Sequence, residues 1–350
     1  MLSSPHSSAA RRITAHRLLQ LRLQAAKDRV ARKATRGRAP SREETEAPVK
    51  ARPAALDRVM SVSDAFNAVI QASVVHLRAN ESGMLQGRDP EYLHQMRVAL
   101  RRLRSALGVF TPILPEPKAA TLRAEFKWLA ACLGPARDWD VFVTETLPLI
   151  EAEFRQHDAL TGFIASCDKL RLSAGLRARR AVRSIRYRNL MRSLAAGIVS
   201  QVQLTQYGHS ARVGLQPAIS DYAPVLLEWR YGRAEKRGRR LGRQSPRALH
   251  RFRIAIKNFR YAADTFAGLY GAKAAREALK LLSRLQDILG VMNDAATAAI
   301  LVDRALGGKS GRHEREVRRR LLAWSRRRVA TLKRGLKGAW KDFRSAKKFW

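Results

Sequence analysis

The sequence contains few cysteines, few acidic residues and few aromatic residues. Only two of the 350 residues are cysteine, Cys132 and Cys167, so no disulfide framework is implied. The chain has 29 Asp and Glu against 68 Lys and Arg, which gives a formal net charge of +39. A protein with this charge attracts polyanions, and we therefore expect an acidic partner.

Long apolar runs and alternating strand patterns are also missing from the sequence. No run approaches the ~18 apolar residues that a membrane-spanning helix needs, and the N-terminus has no signal-peptide core. Without alternation of polar and apolar residues, strands are not predicted. We therefore expect an all-α protein with no membrane span, and the cytoplasm is the default location.

Most of the positive charge belongs to the part of the chain that is predicted to fold. Residues 1–57 carry a net charge of +8, which leaves +31 for the remainder, and the apolar content of 46% is normal for a folded protein. Mixed charges and prolines in residues 37–53 are typical of a linker. The sequence therefore predicts a basic, unfolded tail at 1–56 and a folded domain at 57–350, with halves at about 57–206 and 221–350.

One helical motif occurs twice, at an offset of 156 residues. The copies run from Asp89 to Arg104 and from Ser245 to Arg260. Asp89 and Ser245 are good N-caps, and the proline after each suits the first helical position. At 100° per residue, the cationic residues and the histidine of each copy fall within an arc of about 80°, separate from its apolar residues. The two cationic stripes consist of His94, Arg97, Arg101, Arg104, His250, Arg253, Lys257 and Arg260.

A stripe of this kind has two interpretations. In a single copy it is more often an ordinary solvated helix face. Its repetition in one register, each time with a histidine, favours a shared polyanion-binding role. The eight stripe residues are therefore the predicted binding site.

Other helices are predicted from their apolar periodicity and from turn signals. They span about 63–78, 119–133, 138–155, 160–206, 221–240, 272–289 and 314–350. Residues 79–88 are predicted as a loop, and Gly134-Pro135 and Gly290 as helix ends. Asp138 and Asp294 follow these glycines by four residues, and N-capping of the next helix is their expected role.

The offset of 156 residues extends beyond the motif helices. It also relates Leu133-Gly134 to Leu289-Gly290 and Asp138 to Asp294. Such self-similarity indicates an internal duplication. We predict two pseudo-symmetric four-helix bundles, one from each half of the chain.

The pairs His94-x-x-Arg97 and His250-x-x-Arg253, together with the segments 133–140 and 285–290, resemble the CHAD domain, the conserved histidine α-helical domain. The resemblance covers about residues 57–350, including the aromatic and basic ending 340–350. It implies two four-helix bundles around a basic channel that binds inorganic polyphosphate. Many relatives also carry a triphosphate tunnel (CYTH) domain, for which we expect no room in this chain. Asn258 and Asn293 stand where the first half has arginine, so the second half is less basic there.

The two motif histidines are compatible with several chemical roles. Neither has another His or Cys at helical spacing, so a metal site is not predicted. The chain also lacks a nucleotide-binding loop and a Mg²⁺-binding acidic cluster, so phosphoryl transfer is not predicted either. A structural role between helices and a role as phosphate hydrogen-bond donor both remain. We expect a binding protein without a cofactor, and an enzyme that processes polyphosphate or triphosphate is the less favoured alternative.

Arginine outnumbers lysine, and its planar guanidinium grips two phosphate oxygens at once. Additional basic contacts are expected from Arg102, Arg137, Arg183, Arg186, Arg188, Lys341 and Arg344. Nucleic acid is the rival polyanion, but base stacking favours aromatic residues within the basic stripe, and these are missing there. Polyphosphate is therefore the preferred ligand, and targeting to polyphosphate granules is one role that binding would serve.

Overall fold

The computed structural model describes residues 47–350, apart from 88, 112–113, 115, 152–157, 197–216, 240, 242–244 and 309–310. Most of the predicted tail (1–46) and most of the predicted mid-chain junction therefore lie outside the described residues. Residues Pro48–Trp350 form one compact unit. Within the described ranges the secondary structure is helical, with one isolated antiparallel bridge between Ser61 and Ala218. The all-α prediction is confirmed.

The helices are long and follow one another closely along the chain. In order they are α1 (Val62–Ala79), α2 (Glu81–Gln86), α3 (Pro90–Phe110), α4 (Glu116–Val141), α5 (Leu147–Glu151), α6 (Asp158–Arg183), α7 (Ile185–Ala195), α8 (Ile219–Gly238), α9 (Pro246–Phe266), α10 (Ala272–Leu306) and α11 (Arg312–Ser345). A π-helical turn, Phe142–Thr146, joins α4 to α5, and a 3-10 turn, Ala267–Leu269, follows α9.

The two motif helices, α3 and α9, begin where the sequence predicts. Both begin with proline, and both their first and their last residues differ by 156 positions. Asp89 accepts a hydrogen bond from the Glu91 backbone N–H at 2.8 Å. Ser245 does the same for Ala248 at 3.3 Å. Both predicted N-caps are therefore confirmed.

The apolar sides of the motif helices form part of a common core. Their predicted inward-facing residues are buried, namely Met96, Leu100, Leu103, Leu107, Phe110, Phe252, Ile256, Phe259 and Phe266. The rings of Phe110 and Phe266, the last residues of the two helices, meet edge to face with centroids 6.2 Å apart. Near this contact Arg102 forms an ion pair with Asp264, Nη2 to Oδ2, at 3.3 Å. Apolar and charged contacts thus fix the two motif helices against each other.

The predicted loop at 79–88 is wrong, because α2 forms there. Gly83 lies within α2, where a Cβ would overlap the ring of Tyr92 from α3. Gly87 ends the helix in the left-handed conformation, with φ of 69°. Only the second glycine therefore acts as a helix stop, and the first allows the close packing of α2 on α3.

The predicted helix ends at Gly134-Pro135 and Gly290 are also wrong. Helix α4 continues to Val141 and α10 to Leu306. Proline cannot donate to the Ala131 carbonyl, but Leu133, Ala136 and Trp139 are buried on both sides of it. Their packing holds the helix together through the proline. Asp138 and Asp294 therefore lie inside helices, and their predicted N-cap roles are wrong.

Helix α10 bears on the expectation that the chain has no membrane span. By length and composition it is the one described helix that could cross a membrane, with a mean hydropathy of 1.3 over its most apolar 18 residues. The expectation concerns uninterrupted apolar runs, which Asp287 and Asp294 break in α10, so the absence of a membrane span stays a prediction. In the structure α10 packs along α11, and 39% of that window is buried. Its apolar residues thus contribute to the core of this domain.

The residues that precede α1 pack against the helical body. Asn80 donates to the carbonyl of Val49 at 2.9 Å and accepts from the Val49 N–H at 3.0 Å. The His76 ring lies 3.0 Å from the same carbonyl and 3.1 Å from the Gln95 side chain of α3. Asn80 and His76 are both buried. This contact, the Val49 clamp, fixes residues near 49 to α1 and α3.

Candidate anion-binding site

The cationic stripes of α3 and α9 come together in the structure. Lys257 of α9 interacts electrostatically with Arg97, Arg101 and Arg104 of α3, and with Arg253 one turn earlier in its own helix. Burial and these positive neighbours lower the pKa of Lys257 from 10.5 to about 8. Because like charges repel, this arrangement raises the electrostatic free energy of the folded protein. An anion that binds between the helices would reduce this repulsion.

His94 lies on the same side of α3, beside Arg137 from α4. Burial, and then the charge of Arg137, lower the pKa of His94 from 6.5 to about 4, with smaller contributions from Arg101 and Arg97. At neutral pH the ring is therefore uncharged and donates from one nitrogen only. It fits the role of a neutral hydrogen-bond donor within a set of permanent cations.

Arg97 approaches the backbone of α4 at Gly134. A Cβ on Gly134 would lie 3.0 Å from Nη1 of Arg97. The other terminal nitrogen of Arg97, Nη2, lies 3.8 Å from Oδ1 of Asp138. Burial lowers the pKa of Arg97, and the charge of Asp138 opposes this shift. The glycine and the carboxylate therefore fix the position of this guanidinium.

Arg101 and Arg253 connect the two stripes at the middle of the site. Burial lowers the pKa of Arg253, while Asp294 raises it and Arg101 lowers it further. Nε of Arg101 is buried and has no hydrogen-bond partner among the described residues. A buried donor without a partner costs free energy, so an anion at this position would satisfy it. His94, Arg97, Arg101, Arg104, Arg137, Arg253 and Lys257 are referred to below as the central cluster.

The carboxylates of Asp138 and Asp294 border the central cluster, and the sequence pattern does not assign them to the site. Burial raises the pKa of Asp138 and of Asp294, and Asp138 raises that of Asp294 further. Each faces an arginine of the nearest motif helix, Arg97 and Arg253 respectively. In an uninterrupted helix a residue four positions after Gly134 or Gly290 lies on the same face, which is the signal that could have placed them here.

The remaining stripe residues, His250 and Arg260, lie at the edges of this arrangement. His250 is exposed, as is Arg104 of the central cluster. Nη1 of Arg260 donates to Oε1 of Gln286 at 2.8 Å, which fixes it to α10. His250 and Arg253 line a separate apolar cavity at the start of α9. The structure thus brings together most of the predicted stripes, but the two histidines differ in burial and in surroundings.

The additional basic residues fall into two groups. Arg137 belongs to the central cluster, and its Nη2 lies 3.6 Å from Oε1 of Glu145. Arg102 pairs with Asp264 between the motif helices, as described above. Whether these two arginines contact a ligand stays a prediction.

The other group is held by contacts on other helices. Arg186 donates twice to Glu125, at 2.9 Å each, and stacks on the ring of Trp128 at 4.4 Å. Glu125 lies about 20 Å along α4 from Asp138 at 1.5 Å per residue. Arg188 donates a hydrogen bond from Nη1 to the backbone carbonyl of Arg183 at 3.1 Å. Arg344 forms an ion pair with Glu235 at 3.3 Å, and Lys341 is exposed.

Metal binding finds no support among the described residues. They contain no group of three or more His, Cys, Asp or Glu side chains placed to hold a metal ion. Asp138 and Asp294 each face an arginine, which neutralises part of their negative charge. This geometry therefore suits an anion held by nitrogen donors.

The helical arrangement is similar to that of known proteins. The CHAD domain family model matches residues 68–303. A crystal structure of the CHAD domain from the plant Ricinus communis is 31% identical, covers 87% of this chain and 99% of its own, and has a TM-score of 0.73. PptA from Streptomyces chartreusis is 16% identical, covers 81% of this chain and 100% of its own, and has a TM-score of 0.62, so this likeness concerns the fold. No curated protein matches the chain.

Proposed function

The chain belongs to the CHAD domain family, and on this premise we propose that it binds inorganic polyphosphate in a basic channel without turning it over. In this proposal the two halves are duplicated four-helix bundles, and the channel runs between their motif helices. The central cluster holds consecutive phosphates of one chain. Binding in the cytoplasm, including association with polyphosphate granules, is part of the same proposal.

The observation that carries the proposal is the convergence of both stripes on Lys257. Arginines from α3 and Arg253 from α9 act on one lysine whose pKa falls to about 8. A repeating polyanion suits such a site, because each phosphate is gripped by a planar guanidinium and the polymer passes from one helix to the other. The neutral His94 and the unpartnered Nε of Arg101 supply further donors.

The absence of turnover is proposed from the same chemistry. Hydrolysis of a phosphoanhydride needs a positioned nucleophile and charge stabilisation on the leaving oxygen, which metal ions commonly supply. Of the carboxylates that border the cluster, Asp138 and Asp294 face Arg97 and Arg253, and Glu145 lies 3.6 Å from Arg137. We therefore assign them to orientation of these arginines.

The test is a binding comparison between long polyphosphate, duplex DNA and single-stranded RNA, at matched phosphate concentration and salt. We expect polyphosphate to bind most tightly and its affinity to fall steeply with salt, because several phosphates are neutralised together. A double variant, Arg101→Gln with Lys257→Gln, is expected to weaken polyphosphate binding at least tenfold. Equal binding of DNA or RNA would refute the preference. Phosphate release by the pure protein with Mg²⁺ or Mn²⁺, lost in the double variant, would refute the non-catalytic role.

A further inference from the structure

A second feature of the ligand-binding region is a cavity of about 200 Å³ beside the start of α9. Its apolar wall consists of Leu249, Leu289, Met292, Ala296 and Val329. Arg253 and Lys333 contribute the cationic part of its lining, while His250 contributes an imidazole and Asn293 an amide. Arg253 belongs to the central cluster as well, so the cavity adjoins the proposed phosphate path.

The corresponding place in the first half has different chemistry. A cavity of about 330 Å³ there is lined by Leu93, Ala136 and Asp140, which precede Leu249, Met292 and Ala296 by 156 positions. Asp140 accepts from Nε of Arg171 at 2.7 Å, so that cavity contains its own ion pair. In the second half an alanine replaces this aspartate. The second cavity is therefore apolar inside and positively charged at its border.

A ligand for this cavity needs an apolar ring or chain joined to a multiply charged anion. The volume is below the roughly 300–1,000 Å³ of sites that enclose whole drug-sized molecules, so it suits one ring system with the charges left outside. Arg253 and Lys257 are separated by about 6 Å along α9, which allows an extended phosphate group to reach both.

The residues favour a nucleobase as the apolar group. The Asn293 side chain hydrogen-bonds to the carboxylate of Asp294, which opposes the rise in the pKa of that acid that burial causes. An amide that donates there retains its carbonyl oxygen as an acceptor for the amino group of a base. Met292 supplies a polarizable sulfur that makes favourable contacts with aromatic rings. An alkyl chain would use neither group.

We propose that the second-half cavity binds the base of a nucleoside triphosphate, with its phosphates on His250, Arg253 and Lys333 and extending toward Lys257. This inference rests on the proposed function, because the phosphates occupy part of the polyphosphate path. It adds a class of small ligand that combines an amino-bearing base, such as adenine, with a phosphate chain. Long polyphosphate and the nucleotide then compete for Arg253 and Lys257.

The experiment compares ATP with tripolyphosphate by calorimetry at fixed ionic strength. Tripolyphosphate has the same number of phosphates and the greater charge, so charge alone would make it the tighter ligand. We expect ATP to bind about tenfold more tightly. Ala296→Phe fills the cavity from an exposed position on α10 and is expected to abolish this difference without changing tripolyphosphate binding. Ala274→Phe, at an exposed position earlier in the same helix, is the matched control and should behave as the parent.

Each alternative outcome has a distinct meaning. If tripolyphosphate binds as tightly as ATP in the parent, the base site is refuted, whereas polyphosphate binding remains supported when the long polymer still binds. A further comparison uses octyl phosphate and inorganic phosphate. If the ratio of their affinities is as large as that between ATP and tripolyphosphate, the cavity takes an alkyl chain and the nucleoside proposal is refuted. If long polyphosphate fails to bind, but ATP binds and Ala296→Phe abolishes ATP binding, the proposed function is refuted while the base site is supported.

Discussion

Gly134 of α4 and Arg97 of α3 are so close that a Cβ on the glycine would lie 3.0 Å from the guanidinium nitrogen Nη1. This approach is possible because α4 continues through Gly134-Pro135 instead of ending there. At the equivalent Gly290 of α10, a Cβ would meet no atom of the described residues within 4 Å. The two glycines therefore provide a matched pair in which only one affects the site.

We predict opposite effects of Gly134→Ala on stability and on binding. Alanine in a helix interior is favoured over glycine by about 0.5–1 kcal/mol, so unfolding by urea should require at least as much denaturant. The added methyl group displaces Arg97, and polyphosphate affinity should fall several-fold. Gly290→Ala should raise stability without the loss of affinity. Equal affinities of the two variants would show that the position of Arg97 does not matter for binding.

Lys257 predicts a dependence of binding on alkaline pH. With a pKa of about 8 in the free protein, it loses its charge as the pH rises through 8, well below the usual value of 10.5. A bound polyanion favours the charged form, so affinity should be constant below about pH 7 and fall between about pH 7.5 and 9.5. Calorimetry in buffers of different ionisation enthalpy should detect proton uptake on binding near pH 8.

The matched variants for this prediction are Lys257→Arg and Lys280→Gln. Arginine keeps its charge throughout this alkaline range, so the decline in affinity should disappear. Lys280 is exposed on α10, and its replacement should leave the profile of the parent. A decline that persists in Lys257→Arg would assign the titration to another group.

His94 predicts a dependence of stability on acidic pH. Its pKa in the folded protein is about 4, below the value of 6.5 in an unfolded chain. Between these values the unfolded state binds more protons, so the free energy of unfolding should fall as the pH drops from 6.5 to 4. The loss from this group is of the order of 2 kcal/mol.

Burial also lowers the pKa of His76, so the parent alone does not isolate the effect of His94. The difference between the parent and His94→Gln does isolate it. The variant should lose less stability over the same acidic range, measured by urea unfolding at each pH. Parallel curves for the two proteins would contradict the shifted pKa of His94.

The Val49 clamp predicts where the chain can be shortened. A fragment of residues 48–350 retains the hydrogen bonds between Val49, Asn80 and His76, and a fragment of 57–350 removes them. A buried polar group that loses its partner costs about 1–3 kcal/mol, so the shorter fragment should melt at a lower temperature. Asn80→Ala in the longer fragment should reproduce most of this loss. Identical melting temperatures of the two fragments would show that residues 48–56 do not stabilise the domain, which then begins at 57 as the sequence pattern predicts.

The motif helices were predicted correctly because several local signals agree there. Proline follows an N-cap residue in each, and the apolar and cationic arcs repeat in one register. The burial of Met96 and Phe252 follows from that periodicity. The meeting of the two stripes does not follow from it, because contact between helices that are separated by 156 positions depends on tertiary packing.

The errors at Gly83, Gly134 and Gly290 share one cause. Glycine within a helical pattern predicts a helix stop, yet in α2 and α4 it leaves room for a side chain from α3, Tyr92 or Arg97. Local propensity is a weak prior that close packing overrides. Because the helix ends are misplaced, the sequence pattern predicts N-cap roles for Asp138 and Asp294 and does not predict their contacts with Arg97 and Arg253.

The bridge between Ser61 and Ala218 joins the residue before α1 to the residue before α8. The Ile219 N–H also donates to the Met60 carbonyl at 2.8 Å, and the Val62 N–H donates to the Pro217 carbonyl at 3.1 Å. The starts of α1 and α8 are thus held together by bonds that do not depend on a continuous peptide chain. As a consequence, the domain is suited to reconstitution from two separately produced polypeptides, 48–196 and 217–350.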